Sequence, residues 1–217
     1  GSAAASGAGV GVSVSGAGAG AVNTITTDVK AFIEGDKAIG GGETAGIKAG
    51  SVTLRAEDTS RISAVTGAAS MAAAFGAVGV GVSIGVAGAV NVISNNVAAY
   101  IYNANDGVKT TGGAITVEAI EAATINSLTT AASLSVAIGA VGVAVSGAGA
   151  GATNVILNTT NAYVLDSTLV SGGTVTLKAS DTSTINAIVA AASAAIAGGA
   201  VGVGVSIGGA LATNLVG

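Results

Sequence analysis

The chain has no cysteine, histidine, tryptophan or proline, and only 8% of its 217 residues are charged. Without cysteine there is no disulfide scaffold, no thiolate metal site and no cysteine nucleophile. Missing histidine leaves the few carboxylates without an imidazole partner. Charge is scarce beside the roughly 25% of average chains, so either most residues are buried or the chain assembles end to end. The net charge is −4 and the seven basic residues are scattered, so no phosphate-binding patch and no nucleic-acid partner are expected. Three Tyr and two Phe are too few for the aromatic girdles of a membrane β-barrel. High hydrophobicity with little charge also argues against disorder. No charged segment leads into an apolar one at the N-terminus, so no signal peptide is visible. The opening Gly1-Ser2 reads as an expression scar, and the chain is expected to be a piece of a longer protein.

What the chain has instead is glycine, 36 of it, and in one recurring stretch branched apolar residues fall on every second position with Gly or Ser between them. Gly76-Ala-Val-Gly-Val-Gly-Val-Ser-Ile-Gly85 returns as Gly139-Ala-Val-Gly-Val-Ala-Val-Ser-Gly147 and as Gly199-Ala-Val-Gly-Val-Gly-Val-Ser-Ile-Gly208. A frayed copy runs from Gly9 to Val14. Period 2 is the mark of a strand, with valine on one face and almost nothing on the other. A bare face allows another layer of backbone to approach closely.

Self-comparison extends the pattern to the whole chain. The asparagines Asn23, Asn91, Asn154 and Asn214 are separated by 68, 63 and 60 residues. Each complete anchor is followed by an aromatic position, Phe32, Tyr100 or Tyr163. A Gly-rich turn, an alternating strand (Val52–Ala56, Ile115–Ala119, Val175–Ala179) and a polar step then follow. The extra length of the first spacing falls in a loop from Gly35 to Gly46, where insertion is cheap. The units are approximately 23–90, 91–153 and 154–213, within one continuous domain over 1–217. The predicted fold is all-β, a repetitive parallel β-solenoid of about three units of 60–68 residues. Alanine-rich runs such as Ala190–Ala197 favour helix by propensity. They are read as strand because they flow without a cap into the Gly-Val stretch.

Two coil geometries remain open. Each unit could make three coils of roughly 20 residues, or one very wide coil with like positions stacked at about 4.8 Å. The charges give mixed advice. Arg55, Glu118 and Lys178 would pair if stacked, whereas Asp58, Glu121 and Asp181 would repel.

No residue commits the chain to a reaction, so no catalytic, cofactor-binding or metal site is assigned. The glycine spacings run through the strand itself in every repeat, unlike a phosphate cradle that opens a helix. Glu57 has counterparts Ile120 and Ser180, which reads as a solvated edge rather than a catalytic carboxylate pair. Asn103, Asn105 and Asp106 are a mild calcium cue that the other units do not share, and they are read as a turn. One threonine column, Thr53, Thr116 and Thr176, is too little for an ice-binding face. The asparagines are read as a hydrogen-bonded structural ladder, and Phe32, Tyr100 and Tyr163 as core or stacking residues.

The repeats Gly112–Ile125, Gly172–Ile185, Gly139–Ser146, Gly199–Ser206, Asn91–Ile101 and Asn154–Val164 resemble those of giant bacterial surface proteins. The likeness is to filamentous-haemagglutinin-like and autotransporter-like adhesins, and it covers nearly the whole chain. It implies a secreted, right-handed β-solenoid stalk at the bacterial cell surface, serving as spacer or adhesive fibre. It carries no catalytic residues. The Gly/Ala-rich strand departs from the shorter coils of haemagglutinin stalks. The expected partners are further copies meeting at open solenoid ends, and host or neighbouring-cell surfaces or glycans. In this reading Val, Ala and Gly interlock inside while Thr, Ser, Asn and the charges face water.

Two other readings compete. A carbohydrate-binding or polysaccharide-cleaving β-helix would need a groove with carboxylates and aromatic platforms, with Tyr102 as the non-periodic candidate. A membrane-inserted segment is suggested by the uncharged runs 71–93, 131–157 and 187–217. It is opposed by their period of 2 and by the lack of basic or aromatic flanks.

Overall fold

The computed structural model describes residues 1–35 and 46–217, and among them every regular element is a β-strand. In chain order these are β1 (Ser2–Glu34), β2 (Ile47–Ala49), β3 (Val52–Asp58), β4 (Arg61–Tyr102), β5 (Val108–Thr110), β6 (Ile115–Glu121) and β7 (Thr124–Ile138). They continue as β8 (Val141–Ile156), β9 (Thr159–Leu165), β10 (Leu169–Val170), β11 (Val175–Asp181), β12 (Thr184–Gly198) and β13 (Val201–Val216). Most of the loop inserted between Gly35 and Gly46 lies outside the described residues. The alanine runs are strand: Ala190–Ala197 belongs to β12. Backbone pairing with a neighbouring strand overrides alanine's helical propensity here.

Among the described residues all strand pairing is parallel. The largest sheet has the order β12-β7-β4-β8-β13, with β1 and β9 also on β4; β10-β5-β2 and β11-β6-β3 form two small sheets. Registers run like on like: Asn23 faces Asn91, Asn91 faces Asn154, and Asn154 faces Asn214. Equivalent positions therefore sit on adjacent strands, which settles the coil geometry in favour of the wide alternative. The arrangement is compatible with a β-solenoid.

The chain reverses inside β4. The Ser70 and Ser83 hydroxyls are 2.8 Å apart although 13 residues separate them, a stretch that would span roughly 43 Å in a straight strand. The fold-back lies at Gly76, whose φ of 153° suits only glycine, and Gly199 with φ of 140° occupies the equivalent tip. Residues 61–75 and 78–93 are thus two facing arms, and 124–138 with 141–156, then 184–198 with 201–216, stack on them.

Glycine and alanine line the space between the arms. A Cβ at Gly142 would lie 2.8 Å from the Ala137 carbonyl oxygen, and one at Gly85 2.6 Å from that of Ala132. The opposing backbones approach too closely for a larger side chain. The bare face is therefore the buried one, and the valines point outward: Val12 is 59% exposed and Val203 49%. This reverses the expectation that valine is interlocked inside while Ser, Thr and Asn face water. Ser70, Ser83, Thr66, Thr129, Asn91 and Asn154 are all buried.

Away from the tip the interior widens and its side chains grow. Ala68, Ala87, Ala131, Ala148 and Ala150 form the arm core. Ile62, Ile93, Ile125 and Ile156 fill the next section. Val97, Ile101, Val108, Ile115 and Val117 fill the base, where β3, β6 and β11 close the interior from a third side.

Candidate functional site

Stacking like on like builds columns of identical or related side chains, with amide, ring and charged columns at the base and its junction with the arms and hydroxyl columns inside the arms. Asn23 Nδ2 donates to Asn91 Oδ1, Asn91 Nδ2 to Asn154 Oδ1 and Asn154 Nδ2 to Asn214 Oδ1, each at 2.8 Å. Asn91 and Asn154 have no exposed surface. Each inner amide both gives and accepts a bond along the stack, so burial leaves that pair of groups satisfied.

The rings of Phe32, Tyr100 and Tyr163 form a second column. Phe32 and Tyr100 lie 5.2 Å apart between centroids at 7°, and Tyr100 and Tyr163 5.0 Å apart at 3°. The spacing is close to that of the strands themselves. Phe32 and Tyr163 are 50% and 39% exposed, so the ladder stands on the outer face rather than in the core. Its inner ring faces cover one another and offer edges to solvent, which removes them as platforms for sugar rings. Tyr102 is in register with Glu34 and Leu165, outside that ladder.

Two charged columns run along β3, β6 and β11. Arg55 Nη1 donates to Glu118 Oε2, and Lys178 Nζ donates to Glu118 Oε1 at 3.1 Å. Lys178, and then Arg55, hold the Glu118 carboxyl below the usual range. The second column is the acidic one, and it does stack: Asp58 is in register with Glu121, and Glu121 with Asp181. Repulsion is limited by three devices. Asn95 Nδ2 bridges Asp58 Oδ1 at 3.0 Å and Glu121 Oε1 at 3.3 Å. Asp58 resists the effect of its own burial through bonds from Ser60 and the Thr27 hydroxyl, which hold it below its usual pKa. Glu121, with no exposed surface and no partner for Oε2, is pushed up to about 7 by burial and by the charges of Asp58 and Asp181. The column tolerates its like charges because its central member holds a proton into the neutral range.

The remaining candidates are structural. Glu57 stacks with Ile120, and Ile120 with Ser180, so no second carboxylate joins it from that column. Asn103 has a φ of 53°, as Asp166 at the equivalent position has 48°, and Asn105 donates to the Asn103 carbonyl at 2.9 Å. Asx residues tolerate this left-handed geometry, and the segment is a turn. Among the described residues no group of three or more acidic side chains is arranged to hold a metal ion, and no helix is long and apolar enough to cross a membrane.

One set of structural hydrogen bonds escapes a reading by repeat length alone. Ser2 and Ser15, Ser70 and Ser83, Ser133 and Ser146, and Ser193 and Ser206 bond across the arm interior, always 13 residues apart. They pin the two arms at one depth. The recurring Ser-x12-Ser spacing around each Gly-Ala tip was the available signal.

Comparison with protein families, with curated proteins and with solved structures finds no match.

Proposed function

We propose that the chain is a structural and adhesive stalk module of a large secreted bacterial surface protein. In this reading it is a right-handed β-solenoid of about three units in which each unit is one wide coil. The single observation that supports it is the unbroken like-on-like register, from the asparagine ladder to the ring ladder. Such a stack has backbone hydrogen bonds running along its axis, which resists extension and bending and suits a spacer. The reading is of a non-enzymatic module, and among the described residues the stacked columns pair like with like rather than a nucleophile with a base. Its partners are further copies meeting at strand edges, and the surface or glycans of a host or neighbouring cell. The edges are available: β1, β12 and β13 each pair along one side.

Two measurements test the reading. Inserting three further copies of residues 91–153 after Thr153 should lengthen the particle by about 14 Å in small-angle scattering with its cross-section unchanged. Growth of the cross-section would sink the stacked-coil reading. Antibodies against the chain should label intact cells of the source organism; labelling only after permeabilisation would sink the surface assignment.

A further inference from the structure

The outward valines are the feature that the stalk reading leaves unused. On the second arm of each coil, Val78, Val80 and Val82 point away from the interior, and valine occupies every position stacked on them in β1, β8 and β13. The result is three continuous ribs along the stack, separated by grooves floored with glycine, alanine or serine backbone. Exposure persists into the middle of the stack, where Val145, with Val82 on one side and Val205 on the other, is still 38% exposed. The first arm's outer face is apolar as well, with Val65, Leu128 and Ile188 in one column. Its other columns mix side-chain sizes, Gly67 with Thr130 and Ala190 or Phe75 with Ile138 and Gly198, so it carries no set of even ribs.

We propose that this ribbed face docks against the same face of a second copy of the chain. Three observations select that occupant. The first is period. Ribs recur every two residues, about 6.7 Å, so a second copy brings ridges and grooves of identical spacing that interdigitate as paired sheets do. The second is area. The three ribs cover only about 320 Å², where a stable pair needs about 800 Å² from each partner. Such a pair must also use the rest of the second arm's outer face to Ile93, where Ile84, Val86 and Val90 stand among glycines. The whole face is roughly 53 Å by four strands of about 4.8 Å, or about 1,000 Å². The third is charge. No charged residue lies between Arg61 and Asp106, between Glu121 and Asp166, or after Asp181. Two identical faces therefore meet with no charge to desolvate and no like-charge repulsion.

A lipid bilayer is the rival occupant, and the strand edges oppose it. Unpaired N–H and C=O groups along β1 and β13 would enter hydrocarbon without partners. The inference concerns the flat sides of the molecule, so it stands or falls independently of the end-on association proposed above.

The experiment is sedimentation analysis of the full chain in detergent-free buffer, with small-angle scattering for shape. The wild type should form a pair that doubles the mass at unchanged length along the stack. Val80→Lys with Val143→Lys should weaken pairing ~100-fold or more. Val80→Thr with Val143→Thr, which keeps the side-chain shape, should weaken it less and guards against a simple folding failure. Val65→Lys on the first arm should leave pairing unchanged. A wild type that stays monomeric at the highest attainable concentration would overturn the proposal. So would pairing that lengthens the stack and ignores the lysines, because that is edge association. Flotation with phosphatidylcholine–phosphatidylglycerol vesicles by a chain that is monomeric in solution would assign the face to lipid and overturn it equally.

Discussion

The arms and the base are built from the same repeat, yet they use hydrophobic residues in opposite ways. In the base, Ile101, Val108, Ile115 and Val117 are fully buried. In the arms, Val78, Val80 and Val82 point outward while Gly79, Gly81 and Ser83 are buried. Sheet separation makes the difference. Where a third side closes the base, there is room for branched side chains and they fill it. Where two backbones face each other directly, a Cβ at Gly142 already meets a carbonyl oxygen. The arms then gain from the close approach of backbone and small side chains, and the base from apolar volume. The hydrophobic effect alone would put valine inside everywhere; the arms show that it yields when the alternative layer is thinner and continuous.

The sharpest way to break this comparison uses neighbours in sequence. Gly142→Val should prevent the arms from closing, giving a chain that fails to fold or loses well over about 3 kcal/mol. Val143→Thr, one residue on and facing out, should change stability by less than about 0.5 kcal/mol. Guanidinium unfolding followed by far-UV circular dichroism distinguishes them, and equal sensitivity would mean the faces are assigned the wrong way round. In the base, truncation should hurt: Ile101→Ala is expected to cost about 2–5 kcal/mol, against little for Val80→Ala on the isolated chain.

Glu121 sharpens the comparison from the polar side. Its folded pKa is raised to about 7 from 4.5, so its contribution is fully present below about pH 4.5 and is lost as pH rises through 7. The full loss is on the order of 3 kcal/mol. Glu121→Gln, which imitates the protonated acid, should match the wild type at pH 4.5 and exceed it at pH 8. If both unfold with the same pH profile, the acid is solvated and the column does not hold a proton. The amide ladder comes next among the buried groups. Asn91→Ala leaves Asn23 Nδ2 and Asn154 Oδ1 without partners, at about 1–3 kcal/mol. Asn214→Ala, at the exposed end, should cost less; a reversed order would argue against the ladder as a buried element.

How much of this was legible depended on whether a property is periodic along the chain. The alternation of Gly76–Gly85 announced strand, and the recurrence of Asn23, Asn91, Asn154 and Asn214 announced stacking, because both are one-dimensional signals. That another layer of backbone could approach the bare glycine side was legible too. Which face would be buried was not. Alternation names two faces equally, and the usual preference for valine inside points the wrong way when the partner sheet leaves no space. The acidic column misled for a related reason: Asp58, Glu121 and Asp181 argue against stacking only while all three are charged, and burial changes that. Nothing along the chain showed that Asn95 would reach this column.

By itself, then, the sequence determined the strand period, the lengths of 68, 63 and 60 residues between equivalent points, and the confinement of charge to short segments. These are local properties of residue order. Tertiary structure decided that each interval makes one wide coil, that the chain folds back at Gly76, and that valine faces out while glycine and serine face in. Those outcomes depend on the distance between two sheets. That distance is set by the smallest side chains on both facing arms together, and no stretch of residues read alone contains it.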